Sequence, residues 1–165
     1  MGSIHLPVVV AIVIAYVAGS IPSAYLAGKW RGIDLRQHGS GNLGATNVVR
    51  VLGIRIGAVV FIVDTLKGFL PVFFLPALTG AAQPELISLA VGGAAIIGHV
   101  RPVFLLGQKG GKGVATAGGV FLGVAWLIAL FVLRSEKESA AAVEVQRDKI
   151  AQAAACAQQV PGAIR

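Results

Sequence analysis

The chain has 165 residues, of which 56% are hydrophobic and 13% charged, and its formal net charge is +7. That length allows one domain, but the apolar content is too high for an ordinary soluble one, and uncharged runs of spanning length identify an integral membrane protein. The basic residues sit in short clusters without interleaved aromatics, which argues against a nucleic-acid partner and for membrane topology and anionic headgroups. Cys156 is the single cysteine, so an intrachain disulfide and a cysteine-rich metal site are excluded.

From Leu6 to Gly28 no residue is charged, and at about 1.5 Å per residue the run crosses a bilayer. It lacks the basic start and short apolar core of a cleaved leader, so it reads as a retained span. Pro7 suits a helix start, and Pro22, in Gly19-Ser20-Ile21-Pro22-Ser23, predicts a kink whose freed carbonyl is satisfied by neighbouring groups. The 22 glycines allow close helix approach.

Lys29, Arg31, Arg36, Arg50 and Arg55 follow in one polar connection opposed only by Asp34. The later connection, Gly80 to Glu85, has no Lys or Arg, so the first connection is expected inside and the amino terminus outside. Within the first lies His38-Gly-Ser-Gly-Asn-Leu-Gly-Ala-Thr-Asn-Val-Val-Arg50, small and hydroxyl-rich as backbone wrapped around an oxyanion needs to be. Ser40, Asn42, Thr46 and Asn47 offer side-chain donors and Arg50 a planar cation suited to phosphate. A phosphate ester is the expected ligand.

The second apolar segment, Ile56 to about Gly80, contains Asp64 and Lys67, spaced to pair on one helical face. An ionisable pair in a span either orients helices or serves function. Pro71 and Pro76 predict a bend or break. The third run, Leu86 to Val100, extends through Arg101-Pro102 to Leu106, with His99 at its inner end as a packing residue or a ligand. Gly107-Gln108-Lys109-Gly110-Gly111-Lys112-Gly113-Val114-Ala115-Thr116 is a second glycine-rich basic loop, placed by alternation on the same side as the first. It is no Walker A loop, since Lys112 stands where that motif, begun at Gly107, needs a glycine. Val114 to Leu133 makes a fourth span, so 1–133 reads as a membrane domain. Residues 134–165 form a charged, Ala-rich tail expected as a surface helix or partly disordered.

Protein-supplied acid–base groups are scarce. Gly39-Ser40-Gly41 lacks the earlier glycine of a nucleophile elbow, no His-x-x-x-x-Asp pattern follows His5, His38 or His99, and carboxylates outside the tail number only Asp34, Asp64 and Glu85. No metal-ligand spacing is present. Catalysis by binding and orientation is the natural inference.

Gly19-Ser20-Ile21-Pro22, the His38–Arg50 stretch, Asp64-x-x-Lys67-Gly68, Gly98-His99 with Pro102-Val103-Phe104, and Lys109 to Thr116 together resemble, in order, the bacterial acyl-phosphate-dependent glycerol-3-phosphate acyltransferase family. The resemblance covers roughly the first three quarters of the chain. It implies an all-α polytopic membrane protein that transfers a fatty acyl group from acyl phosphate to the 1-hydroxyl of glycerol 3-phosphate. The products are lysophosphatidic acid and phosphate. It implies Ser40, Arg50 and Lys112 as catalytic, and Gly41, Asn42, Gly44, Ala45, Thr46, Asn47, His99, Lys109, Gly110, Gly111, Gly113 and Thr116 as substrate-binding. It also implies that a substrate phosphate takes the hydroxyl proton, that no cofactor is needed, a bacterial inner-membrane location with both loops cytoplasmic, and a functional link to the enzyme that makes acyl phosphate. Family members carry further helices and a third, Arg/His-rich motif unmatched in 134–165, so a truncated or replaced ending with weakened activity is expected. The alternative from another class is a non-enzymatic membrane module or transporter component that binds phosphate or headgroups.

Overall fold

The computed structural model describes residues 6–106 and 108–158, with side chains described to 154; His5, Gly107 and the Cys156 side chain lie outside. Among the described residues every regular element is helical: α1 Val8–Gly19, α2 Ser23–Trp30, α3 Ala45–Leu52, α4 Ile54–Thr79, α5 Pro84–Val100 and α6 Val114–Gln158, with short 3-10 turns at Leu35–Gln37 and Val103–Leu105. Four helical stretches are long and apolar enough to cross a membrane: Val8–Trp30, Ile54–Thr79, Pro84–Leu105 and Val114–Ala154. The chain divides into two units, Met1–Trp126 and Leu127–Arg165.

In the first unit the contact between α1 and α5 buries small residues, and many large ones face outward. Ala11, Ala15 and Ala95 are fully buried, whereas Val9, Val13, Phe61, Phe74 and Ile97 are exposed. This is the arrangement expected in lipid, where hydrocarbon outside is as apolar as protein inside and close backbone contact drives association. A Cβ on Gly19 would collide with the Ala95 carbonyl oxygen, and one on Gly98 with the Tyr16 carbonyl oxygen. These two glycines let α1 lie directly on α5. The Tyr16 hydroxyl then donates to the Arg101 carbonyl at 2.9 Å, tying α1 to the end of α5.

Pro7 caps α1, and the helix stops at Gly19 before Pro22 and restarts at Ser23. The interrupted backbone leaves the Ile21 carbonyl to accept from the Ser23 N–H at 3.0 Å and from Lys67 Nζ at 2.8 Å. Neighbouring groups thus satisfy the break, and the lysine inside the next span supplies one of them. Pro71 and Pro76 produce no break, contrary to one of the sequence expectations: α4 is continuous past both. Both prolines are buried, a setting in which membrane helices tolerate the missing N–H. α4 ends at Gly80, whose left-handed backbone (φ 64°) closes it.

In the second unit, residues 128–154 are exposed along a continuous helix. Its Ala, Glu, Gln, Lys and Arg content accounts for the helix on propensity alone.

Candidate phosphate-binding site

The first loop is organised around one buried side chain. Asn47 is 1% exposed; its Oδ1 accepts from the Ser40 N–H at 2.8 Å, and its Nδ2 donates to the His38 carbonyl at 3.1 Å and the Leu35 carbonyl at 3.4 Å. Gly39 must be glycine here, because its φ is +61° and a Cβ would collide with Asn47 Oδ1. α3, which Gly44 precedes, turns Asn47 and Val48 inward and leaves Thr46 and Arg50 exposed. Thr46 and Arg50 stand four apart, on one face of that helix. Ser40 is exposed as well, and Gly41, Asn42, Gly44 and Ala45 are half-buried.

Upstream, Asp34 accepts from the Arg36 backbone N–H at 3.0 Å and pairs with its guanidinium at 2.6 Å. These bonds hold the Asp34 carboxyl below its usual value, and the guanidinium correspondingly higher. Arg36 also lies over the Tyr25 ring at 5.3 Å and hydrogen-bonds Gln108. That last bond joins the first loop to the second.

The second loop follows the end of α5. The Gly110 N–H donates to the Val100 carbonyl at 3.0 Å, and a Cβ on Gly110 would press on the His99 carbonyl and lie 2.9 Å from Pro102. A Cβ on Gly111 would strike His99 Nε2 and sit 2.5 Å from the Leu43 carbonyl of the first loop. Only glycine fits between them. Gly113, at φ +79°, turns the chain into α6, whose first N–H groups lack intrahelical partners. Gly111 and Gly113 are buried, Gly110 is half-buried, and Lys109 and Lys112 are exposed. Among the described residues Arg50, Lys109 and Lys112 form no salt bridge.

Beneath the loops His99 shares a 3.0 Å hydrogen bond through Nδ1 with the buried Thr116 hydroxyl. The same nitrogen lies 3.8 Å from Asp64, which pairs with Lys67 at 2.8 Å and accepts from the Ser23 hydroxyl. Asp64 and Lys67 are 1% and 7% exposed. A small pocket opens among Ser23, Leu43, Lys67, His99, Gly110 and Gly111.

Gly110, Gly111, His99 and Thr116 are therefore brought together with the Leu43 edge of the first loop. Ser40, Thr46, Arg50, Lys109 and Lys112 stand on the loops' exposed side. Sequence reasoning did not single out the Leu43 carbonyl, Ser23 as a partner of Asp64, or the Arg36–Gln108 bond. A serine directly after Pro22 in an apolar span was the one available signal, since a buried hydroxyl needs a partner.

Fold and loops define a multi-pass α-helical membrane protein in which two glycine-rich polar loops meet at one end of the bundle. The chain matches the glycerol-3-phosphate acyltransferase family over residues 9–138. The glycerol-3-phosphate acyltransferase of Geotalea daltonii is 50% identical over 125 residues, covering 76% of this chain and 62% of the relative; that of Bacillus velezensis is 52% identical over 117 residues, covering 67% and 55%. PlsY (YgiH), an integral membrane glycerol 3-phosphate acyltransferase solved in its glycerol 3-phosphate form, superposes with a TM-score of 0.63 at 43% identity, covering 75% of this chain and 60% of that one. Its lysophosphatidic acid form gives 0.61 at 41% identity. This chain belongs to the glycerol-3-phosphate acyltransferase family. It spans about three fifths of the length of these relatives.

Proposed function

We propose that the protein acylates glycerol 3-phosphate, taking the fatty acyl group from an acyl phosphate and releasing lysophosphatidic acid and inorganic phosphate. The observation that carries this reading is the seating of Gly111 between His99 and the Leu43 carbonyl, which supports a single site built from both loops for two phosphorylated reactants. Membership of the family and the PlsY forms support glycerol 3-phosphate as acceptor.

In this reading the exposed Ser40, Thr46 and Arg50 hold one phosphate from the first loop. Lys112, with the Gly111 and Gly113 amides at the start of α6, holds the other, helped by the helix dipole; the Gly110 N–H, expected there from the resemblance, is instead committed to the Val100 carbonyl. Lys109 adds positive charge at the rim. Asn47 and Thr116 act through loop shape, because their hydrogen bonds point inward. The protein brings two polyanions together and lowers their repulsion with cations. An acyl phosphate already has a good leaving group, so the hydroxyl proton passes to a substrate phosphate and no side-chain base is required. The membrane domain, 1–133, carries this chemistry apart from the tail, 134–165. It works at the inner face of the bacterial cell membrane, with both loops cytoplasmic, on donor supplied by an acyl-phosphate-forming enzyme.

The test supplies purified protein with acyl phosphate and labelled glycerol 3-phosphate, beside a chimera lengthened with the remaining segment of a relative. Labelled lysophosphatidic acid that vanishes in Arg50→Ala and Lys112→Ala is the expected result. Undiminished product in both variants rejects the site. Anion binding without turnover in either protein favours a non-enzymatic binding module.

A further inference from the structure

The loops leave one group of polar side chains without a role. Lys67 lies inside α4, where a charge is costly and persists only with partners. Two of its three N–H bonds are accounted for by Asp64 and the Ile21 carbonyl, both at 2.8 Å. The side chain also lines the pocket walled by Ser23, His99, Gly110 and Gly111.

We propose that the Lys67 ammonium is a catalytic residue of the acyl transfer, donating its remaining N–H to the carbonyl oxygen of the acyl donor. This rests on the acyl-phosphate reading above. Charge and size select the carbonyl over a phosphate. Asp64 already balances Lys67, so the pair offers a directed dipole with no net positive charge. Such a dipole attracts a dianion weakly and matches an oxygen that is neutral in the ground state and gains charge as the reaction proceeds. The pocket is sized for about one water-like group, which suits one oxygen and excludes a phosphate. Gly110 and Gly111 of the second loop border the same pocket; with the donor's phosphate placed on that loop, the two ends of one mixed anhydride are received by adjacent groups.

In the step, the acceptor hydroxyl oxygen forms a bond to the acyl carbon, and the carbonyl π pair moves onto the oxygen held by Lys67. Return of that pair breaks the carbon–oxygen bond to phosphate, which leaves with the bonding electrons. The hydroxyl proton goes to a phosphate oxygen. Asp64, fixed by Ser23, keeps the ammonium aimed.

The probe is an acyl phosphonate with methylene in place of the bridging oxygen, carbon-13 labelled at the carbonyl, bound to the whole chain in lipid nanodiscs. Infrared difference spectra are expected to show the carbonyl stretch at lower wavenumber than for the probe in empty nanodiscs. Lys67→Met should abolish that shift while phosphonate binding persists. Because Lys67→Met strands Asp64, the spectra are repeated on Asp64→Asn/Lys67→Met, which buries no charge at this point. In the chimera, if it turns over, kcat should fall about 100- to 1,000-fold with little change in KM for glycerol 3-phosphate. An unshifted carbonyl in the wild type, or a shift retained in both variants, overturns the role of Lys67 alone. Failure of the wild type to bind the probe rejects the acyl-phosphate reading and this inference with it.

Discussion

Replacing Asp64 with leucine tests the buried pair as a structural device, apart from any chemistry. The substitution leaves the Lys67 ammonium, 7% exposed, with the Ile21 carbonyl as its remaining recorded partner, and removes the acceptor of the Ser23 hydroxyl. Breaking a buried pair from one side costs about 3–5 kcal/mol, because the surviving charge is uncompensated. An orphaned hydroxyl adds about 1–3 kcal/mol unless it turns to another acceptor. Asp64→Leu/Lys67→Met removes both charges and recovers most of the loss, since apolar replacement of a whole buried pair is often neutral or better. The expected pattern is a single variant at least about 3 kcal/mol less stable than wild type and a double variant that regains more than half of that. Stability is read from loss of helical circular dichroism as sodium dodecyl sulfate is titrated into mild-detergent micelles. A single variant within about 1 kcal/mol of wild type, or a double variant whose loss is the sum of the two singles, refutes the argument.

Gly111→Val places branched carbon against His99 Nε2 and the Leu43 carbonyl, 2.5 Å from its Cβ, so the loops must part. Saturable glycerol 3-phosphate binding should weaken at least about fivefold, the equivalent of the lower end of a 1–3 kcal/mol overpacking cost; unchanged binding counts against the shared floor. The depressed Asp34 carboxyl gives the first loop a stabilising contribution that is present above the ordinary aspartate value of 3.8 and is lost as pH falls through the lowered one. Amide-exchange protection over residues 34–41, corrected for intrinsic rate, should stay level from neutrality down to about pH 4 and fall below it, and a fall already complete at pH 5 contradicts the pairing.

The helices were legible because membrane spans declare themselves by length and lack of charge, and the Pro22 interruption, the Asp64–Lys67 spacing and the two glycine loops stand out from that background. Which face of each span turns inward was not. α1 is apolar all round, so no amphipathic pattern marks a buried side, and Ala11, Ala15 and Gly19 are inside because they are small. α3 was hidden within what reads as a polar connection, and without its helical phase Asn47 and Arg50 look like equivalent donors. The helix buries Asn47 and leaves Arg50 exposed. Pro71 and Pro76 left a bend or a break open for a related reason: a rule drawn from helices in water allows interruption, whereas both prolines are buried in a helix that runs on unbroken. The Leu43 carbonyl was invisible because a backbone acceptor has no residue type to betray it.

The two loops share one construction principle. Each is wrapped around a buried polar side chain, Asn47 in the first and His99 in the second, whose hydrogen bonds serve the protein's own backbone or a neighbouring hydroxyl. With those inner bonds made during folding, the outward Ser40, Arg50 and Lys112 stand on loops whose shape is already set. On the proposed reading, ordering a loop at the moment of binding would subtract from affinity for each phosphate, and loops shaped by these inner bonds need less of it. The contact of Gly111 with His99 and Leu43 extends the same logic across the site, because movement of either loop disturbs the seat of the other. Two loops so joined suit a reaction in which bringing two like-charged reactants into register is the larger part of the work.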